Sequence, residues 1–428
     1  MQILQSYIKE SDAFKAFAKN RKSKIIAEGL DGFPLFQCAM MMASGVSGIT
    51  WLICPTEETA RTLYSNSGMS SIVPVLFIPA SGRVLYSPWE GSSKEYEQIR
   101  SLGALATSRK ALAVTSIRAI CSPVPGRRAI DSSNLTFRVG QNIDTMEVAG
   151  RLANGNYFRS ANTTMPGEFT VRGEVLDIFP YGEEFPIRIY LDWDRIERIC
   201  RYEPLSQQVN KQLGHATLQI LSATDGSDFV PSGIKEYFGK DDYFIFLGDK
   251  RLESSYKSMQ LEAKSLFRHA FQDNRDALKP ADILFDFATF YENCDSCMTV
   301  LDISGQTHGA FKFDIDGPRS YFGNFTFFKQ DLEGLVSDRW KIAVCVSTEV
   351  QKQRLMTMLS DFESIEYIVG TLSGGFSLRG PKFIVFCENE IFGRRKQVIK
   401  TLQHTKTSAL DSFVELHEGD YVVHVNYG

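Results

Sequence analysis

A stretch of strictly alternating side chains near the middle of the chain is the strongest constraint on its fold. From Ile187 to Asp194, apolar and polar residues alternate, except that Tyr190 stands among the polar ones. Successive strand residues point to opposite faces of a sheet, so this period of two predicts a strand covered on one side. Residues 169–179 precede it, and residues 180–186 between the two begin and end with proline. Because proline cannot donate to a ladder, the pattern predicts an antiparallel hairpin with one wet face.

Two arginines, Arg172 and Arg188, fall on the polar side of this predicted hairpin. A guanidinium group offers carboxylates a rigid fork of donors, and arginine is enriched among residues that dominate interfaces. The wet face is therefore a candidate docking surface, although ordinary solvated strand residues show the same pattern and are the simpler interpretation. Glu183 and Glu184 lie in the predicted hairpin loop and are interpreted as solvating charges.

Length, charge and cysteine usage limit the class of protein. A chain of 428 residues exceeds one ordinary core and predicts about three domains. Its net charge of -4 argues against a chain that mainly coats nucleic acid. The sequence has neither a signal peptide nor an apolar run of the roughly eighteen residues that span a bilayer, so we expect a cytoplasmic protein without membrane contact. Cys294 and Cys297 have no second pair at zinc spacing, which favours structural thiols over a metal site.

The first strand, turn and helix have the layout of a phosphate-binding loop. A strand at 24–27 leads through Gly29 and Gly32 into an apolar helix at 35–43. A working loop needs a lysine for the phosphates and a hydroxyl for magnesium, but Phe33 and Pro34 follow Gly32. The single Asp286 after a later apolar run has no acidic neighbour to complete a metal-binding pair. We therefore predict a nucleotide-binding architecture that holds no nucleotide and no cofactor.

Strands and helices alternate through most of the chain, which predicts an α/β fold with a mostly parallel sheet. The texture changes between residues 123 and 213, where an α+β insertion is expected, and a small separate α/β unit follows the first sheet. The predicted units are residues 1–122 with 214–312, the insertion 123–213, the small unit 313–408, and residues 409–428 at the start of a further, truncated domain.

Several motifs then point to a family. Residues 172–180 read R-G-E-V-L-D-I-F-P, a motif similar to one shared with the excinuclease B subunit, and residues 186–188 lead to a similar tail at 202–208. Weaker support comes from residues 320–324, 372–376, 388–393 and 419–424. On these residues, essentially the whole chain resembles the N-terminal part of the bacterial transcription-repair coupling factors.

This resemblance implies a degenerate helicase-like (RecA-like) sheet without an ATP site, and an inserted domain that binds the excinuclease A subunit, UvrA. Family contact positions map onto Arg172, Arg188 and Asp192, where the family has an aromatic residue in place of Asp192. Trp193 stands next to it on the opposite side of the predicted strand. The resemblance therefore implies a non-catalytic module that recruits UvrA to stalled transcription complexes.

In the family, contacts with RNA polymerase and DNA, and the ATP and magnesium that drive translocation, belong to domains beyond those matched by this chain. The resemblance also implies that a C-terminal domain of the intact protein folds back on the inserted domain and hides its binding surface.

Two alternatives stay open at this point. The chain could be a nucleotide-driven enzyme, or a nucleic-acid-binding helicase-like module with residual nucleotide binding. The second would use Arg127, Arg128 and the basic residues 394–396. Short basic runs at domain edges are usually solvated charge, and the recruitment module is the favoured hypothesis.

Overall fold

The computed structural model describes residues 2–19, 24–69, 72–87, 93–181, 183–220, 229–230, 233–302 and 308–393. The basic residues 394–396, the motif at 419–424 and the predicted segment 409–428 lie outside these ranges. Among the helices in the described ranges, none combines the length and the apolar character needed to cross a bilayer.

The helices within these ranges are, in chain order, α1 (Gln2–Glu10), α2 (Asp12–Lys19), α3 (Gly32–Gly45), α4 (Glu57–Tyr64), α5 (Ser93–Thr107), α6 (Ile117–Cys121), α7 (Arg127–Ser133), α8 (Thr145–Asn154), α9 (Asp249–Asp273), α10 (Pro280–Ile283), α11 (Phe287–Glu292), α12 (Phe325–Ser337), α13 (Glu349–Met358) and α14 (Glu388–Phe392). Short 3-10 helices occupy Ser65–Met69 and Gly233–Tyr237.

The strands, again in chain order, are β1 (Lys24–Glu28), β2 (Ile49–Cys54), β3 (Val75–Ile78), β4 (Ala111–Ser116), β5 (Val124–Pro125), β6 (Asn134–Arg138), β7 (Phe158–Arg159), β8 (Glu168–Arg172), β9 (Val175–Ile178), β10 (Ile187–Asp192), β11 (Arg195–Tyr202), β12 (Val209–Leu213), β13 (His215–Gln219), β14 (Phe229–Val230), β15 (Tyr243–Leu247), β16 (Cys297–Val300), β17 (Phe311–Lys312), β18 (Ile315–Asp316), β19 (Lys341–Val346), β20 (Ile365–Val369), β21 (Phe376–Leu378) and β22 (Phe383–Cys387).

A seven-stranded sheet forms the first unit, with the strand order β17-β1-β16-β15-β2-β4-β3. All of its strand pairs are parallel. Every residue of β2, β4 and β15 is buried, as expected for strands that helices cover on both faces. The α/β architecture predicted from the sequence is confirmed.

The inserted unit contains a six-stranded sheet with the order β12-β11-β10-β9-β8-β7. One face packs against α8 and the strand pair β6–β13 in a hydrophobic cluster that includes Phe137, Leu152, Leu176 and Ile189. We call the opposite face, which carries Arg172, Asp177, Arg188 and Tyr190, the outer face. The alternation of β10 matches this arrangement, because Ile187, Ile189 and Leu191 are buried and the residues between them are not.

The single hairpin predicted from the sequence is wrong in one respect. Residues 169–179 form two strands, β8 and β9, because the chain turns back at Gly173 and Glu174. Gly173 has a φ of +55°, a value that is common in two-residue hairpin turns and that glycine adopts most easily. Strand β9 therefore lies between Arg172 on β8 and Arg188 on β10, and it contributes side chains of its own to the outer face.

The chain enters and leaves the inserted unit through two pairs of antiparallel strands. Strand β13 pairs with β6, and Ala216 and Leu218 share the cluster of Leu135 and Phe137. Strand β5 pairs with β14. The predicted boundaries stay a prediction, but this packing groups residues 215–220 with the inserted unit, whereas the sequence pattern assigned them to the first.

The third unit, residues 313–393, has a mixed five-stranded sheet with the order β18-β21-β22-β19-β20. One face is covered by α12, α13 and α14 around Phe328, Leu332 and Phe386. The other face joins the core of the first unit, since Phe376 and Phe383 share one hydrophobic cluster with residues of α1 and α3. The sheet is separate, yet its core is continuous with that of the first unit.

Candidate partner-binding site

A buried carboxylate lies at the centre of the outer face. Asp177 on β9 is opposite Arg188 on β10, and its side chain is 1% exposed. Arg188 donates through Nε to Asp177 Oδ1 at 2.7 Å and through Nη2 to Oδ2 at 2.8 Å. Such a bidentate, charge-assisted pair is a strong interaction, and the hydrogen bond to Asp177 raises the pKa of Arg188.

Arg188 is therefore not the solvated strand residue that the alternation predicted. Its side chain is 13% exposed, and Nη2 also donates to Gln207 Oε1 at 2.6 Å. The guanidinium carbon lies 4.1 Å from the centre of the Tyr202 ring, within cation–π range. The segment after β11, which carries Gln207, thus covers part of the outer face. The alternation of residues within β10 cannot predict contacts with a segment so far along the chain.

Arg172 is held more loosely, and 53% of its side chain is exposed. Its Nη2 lies 3.6 Å from Asp177 Oδ2, beyond hydrogen-bonding distance but close enough for charge attraction. Its Nη1 donates to Asn162 Oδ1 at 3.3 Å, and Asn162 is an exposed residue in the loop between β7 and β8. Arg172 can therefore offer donors to a visiting group.

A network of hydroxyl groups fixes the loop before β8 to the same region. Thr163 and Thr170 are buried and joined through their hydroxyls at 2.9 Å, and Tyr202 donates to the Thr163 carbonyl at 3.4 Å. Burial, followed by the negative charge of Asp177, raises the pKa of Tyr202 to about 12. The phenol is protonated at neutral pH, as an unperturbed tyrosine also is, and it acts here as a donor.

Trp193 occupies the tip of the turn between β10 and β11, because Asp192 pairs with Arg195 across it. Its side chain is 88% exposed, and its φ is +62°, a region that non-glycine residues adopt rarely. Asp192 is exposed as well. A register shift after Tyr190 leaves an extra residue, Glu197, in β11, the pattern of a β-bulge. The tryptophan thus reaches solvent from the turn itself, where the alternation of strand side chains between the two faces of the sheet no longer decides its direction.

A second arginine–aromatic contact lies between the turn and the arginine pair. The guanidinium carbon of Arg198 on β11 is 4.0 Å from the centre of the Tyr190 ring on β10. These two residues face each other in the ladder. The outer face therefore extends from Arg172 across β9 to Arg198 and then to the turn at Trp193.

The loop that joins β9 to β10 ties the inserted unit to α5. Glu183 accepts from Arg100 at 3.2 Å and forms an ion pair with Arg201 at 3.2 Å, so the interpretation of this residue as a solvating charge is wrong. The Tyr96 and Tyr181 rings stack at 3.9 Å beside it. A cavity of about 200 Å³ lies at this junction.

The carboxyl ends of strands β1, β15 and β16 are where α/β sheets of this kind bind ligands, and we call this region the strand-end edge. Here the Asp31 carboxylate accepts from the Gly32 amide at 2.8 Å at the start of α3. A carboxylate thus takes the helix N-terminus that a phosphate would use. Asp302 follows β16, and it pairs with Arg251 through Nε and accepts the Arg251 amide at 2.9 Å.

The third unit packs against the start of α3, next to the strand-end edge, while Asp31 and Arg251 at that edge stay exposed. Asn66 is fully buried and exchanges hydrogen bonds with Ser373, at 3.0 Å to Oγ and 2.8 Å from the amide. Phe33 stacks on Phe376 with a centroid separation of 5.9 Å. Asp286, which the sequence showed to be without an acidic neighbour, caps α11. Asp249 and Asp302 were not predicted to meet, because strand order, not local sequence, brings them together here.

Cys294 and Cys297 are both buried and reduced, and Cys297 donates to the Cys294 carbonyl at 3.2 Å. Within the described ranges, no three histidine, cysteine, aspartate or glutamate side chains are grouped as a metal ion would require.

Comparisons with known proteins find similarity to one family model and to a group of related proteins. The UvrB interaction domain model matches residues 135–224, a range that contains all six strands of the outer-face sheet. The chain is also 24% identical to the transcription-repair-coupling factor of Borreliella burgdorferi, over 78% of the chain and 33% of that protein. It is 23% identical to the Staphylococcus aureus factor of strain MSSA476, over 78% of the chain and 35% of the factor.

The chain is similar to the N-terminal part of the transcription-repair coupling factors. It spans about a third of the length of the curated relatives it matches.

Within the coupling-factor framework, the structure brings Arg172 and Arg188 together on one carboxylate and leaves Asp192 and Trp193 at the far end of β10. Neither Asp177 nor Gln207, which supports Arg188, was predicted from the sequence as part of this site. An acidic residue inside the apolar run Val175–Ile178 was the available signal, because a buried carboxylate needs a partner.

Proposed function

We propose that this chain is a non-catalytic recruitment module, and that its outer face binds UvrA in transcription-coupled excision repair. The observation that supports this most directly is the match of the UvrB interaction domain to the strands that present Arg172 and Trp193. Arginine and tryptophan are enriched among the residues that dominate interfaces, and both are exposed on this sheet.

Arg172 would supply a charge-assisted hydrogen bond to an acidic group of UvrA. Such a bond contributes about 1–3 kcal/mol when the partner excludes water, and much less at a wet rim. Trp193 would add a large, rigid apolar surface at low entropic cost. Asp192 beside it would contribute as a polar neighbour, since a carboxylate cannot fill an apolar pocket.

A calorimetric titration of this chain with purified UvrA tests the proposal. We expect Arg172→Ala to weaken binding about tenfold, which corresponds to about 1.4 kcal/mol. The melting temperature should stay unchanged, because the side chain is half exposed. Arg319→Ala, which removes an exposed arginine of the third unit, is the matched control. Wild-type protein that does not bind UvrA would contradict the proposal.

The non-catalytic part of the proposal rests on the strand-end edge. The Asp31 carboxylate accepts from the first amide of α3. Ser373 of the third unit lies beside the same turn, because its Oγ would be 3.8 Å from a Cβ atom added to Gly32. A steady-state ATPase assay, with and without duplex DNA, should give no turnover above background. DNA-stimulated turnover would instead support the helicase-like alternative.

Arg127, at the start of α7, gives the nucleic-acid alternative little support. Arg127 donates from Nη2 to the Ala106 carbonyl at 3.0 Å, and its amide donates to Glu236 at 2.7 Å. An arginine held against its own chain is poorly placed to neutralise phosphates.

For the intact protein we propose action in the cytoplasm, with RNA polymerase, DNA, ATP and magnesium engaged by further domains. We also propose that a C-terminal domain masks the outer face by an intramolecular contact. This chain should then bind UvrA more tightly than an intact coupling factor, and equal affinities in parallel titrations would refute the masking.

A further inference from the structure

The outer face holds two arginines on one carboxylate, and the two are held in different ways. Arg188 makes two short bonds to Asp177 and a third to Gln207, and 13% of its side chain is exposed. Arg172 lies 3.6 Å from the same carboxylate and is 53% exposed. The group of three therefore carries a net charge of +1, and Arg172 presents that charge to solvent.

The partners of Arg188 leave it little to offer a visiting protein. Its Nε and Nη2 donate internally, and the Tyr202 ring covers its guanidinium group at 4.1 Å. Moving it outward would leave Asp177 buried without a hydrogen-bonded counter-charge, which is costly. Arg188 is thus a fixed part of the scaffold, whereas Arg172 can exchange its loose contact for a better one.

We propose that Asp177 is a positioning residue for partner binding: it fixes Arg188 behind the surface and, with Asn162, orients Arg172 toward a single carboxylate of the partner. This inference rests on the proposed function and assigns different roles to the two arginines. One acidic group balances the net charge of the site, so the matching partner surface presents one carboxylate at this position.

A purely electrostatic role for Asp177 makes the opposite prediction. If Asp177 only reduced the positive potential of the outer face, its neutralisation would strengthen attraction to an acidic partner. If Asp177 orients Arg172, its neutralisation weakens binding despite the added positive charge. The direction of the change in affinity therefore separates the two roles.

The experiment is a double-mutant cycle on the full chain, with UvrA as the titrant. We expect Asp177→Asn to weaken binding about tenfold, and Asp177→Asn combined with Arg172→Ala to bind as Arg172→Ala alone does, within about twofold. Tighter binding by Asp177→Asn, or losses that add independently, would overturn the inference. Wild-type protein that fails to bind UvrA would refute the proposed function itself.

Asn162→Ala repeats the test without touching the buried pair, so it does not depend on Asp177→Asn folding. Asn162 is exposed, and its side chain accepts only from Arg172 among the bonds described here. We expect about threefold weaker binding in the wild-type background and no further loss beside Arg172→Ala. An equal loss in both backgrounds would contradict the positioning role.

Discussion

The strand-end edge of the first unit and the outer face of the inserted unit both combine arginine with aspartate, but the exposed arginine of each region is bonded to its carboxylate differently. At the strand-end edge, Asp31 caps its own helix, and Arg251 donates from its amide and its Nε to Asp302 although 56% of its side chain is exposed. On the outer face, Arg188 is similarly engaged while Arg172 and Trp193 remain exposed. The contrast shows that a binding site depends on which donors are left over after the fold has formed its own bonds.

The largest expected effect concerns the shared core at the strand-end edge. Phe33→Ala should cost about 3–5 kcal/mol of unfolding free energy, because Phe33 is 1% exposed and stacks on Phe376. Urea unfolding monitored by fluorescence and circular dichroism measures the loss. The control Phe322→Ala, at an 81% exposed residue, should stay within about 0.5 kcal/mol of wild type. Equal effects of the two variants would show that the first and third units do not share a core.

The two arginines of the outer face should differ in their effect on stability. Arg188→Ala leaves the buried Asp177 without its bidentate partner and should cost about 2–3 kcal/mol. Arg172→Ala removes a half-exposed contact and should cost less than about 0.5 kcal/mol. Thermal melts of both variants at the same pH and salt concentration make the comparison. Matching melting temperatures would remove the distinction drawn between these residues.

Trp193 should affect binding without supporting the fold. Trp193→Ala should weaken UvrA binding by about 1–2 kcal/mol and leave the melting temperature unchanged. Trp193→Gly should weaken binding to the same extent and raise stability by up to about 1 kcal/mol, because glycine accepts a φ of +62° without strain. Calorimetry and thermal melts on the same preparations measure both quantities. A destabilised Trp193→Gly variant would mean that the indole packs against the protein.

The smallest effect is expected from nucleotide. Millimolar ATP with magnesium should shift the melting temperature by less than the experimental error, since ligand stabilisation depends on binding to the native state. A reproducible increase would show that the strand-end edge still binds nucleotide and would weaken the contrast between the two regions.

The sequence carries enough information for the α/β class and for the buried side of β10, because both follow from local patterns of apolar residues. It also shows that Phe33 and Pro34 follow Gly32, where a working phosphate-binding loop would carry lysine and a hydroxyl residue. The pairing of Arg188 with Asp177 is different in kind, since it depends on the register between β9 and β10 across a connecting loop. Local alternation does not encode that register, and it cannot show that Gln207 and Tyr202 cover the arginine.

Long-range placement was also beyond local reasoning for the strand-end edge. Asp249 and Asp302 lie more than fifty residues apart, and they meet because β15 and β16 are neighbours in a parallel sheet. The positive φ of Trp193 was not predicted either, because glycine or asparagine usually occupies a turn position of this kind.

The bridge from Arg100 through Glu183 to Arg201 has a mechanical consequence. Together with the stacked Tyr96 and Tyr181 rings, it fixes the six-stranded sheet to α5. This contact is additional to the two places where the chain passes between the first unit and the inserted unit. A protein bound to the outer face would therefore be held at a fixed angle and distance from the larger sheet, and not through a flexible linker.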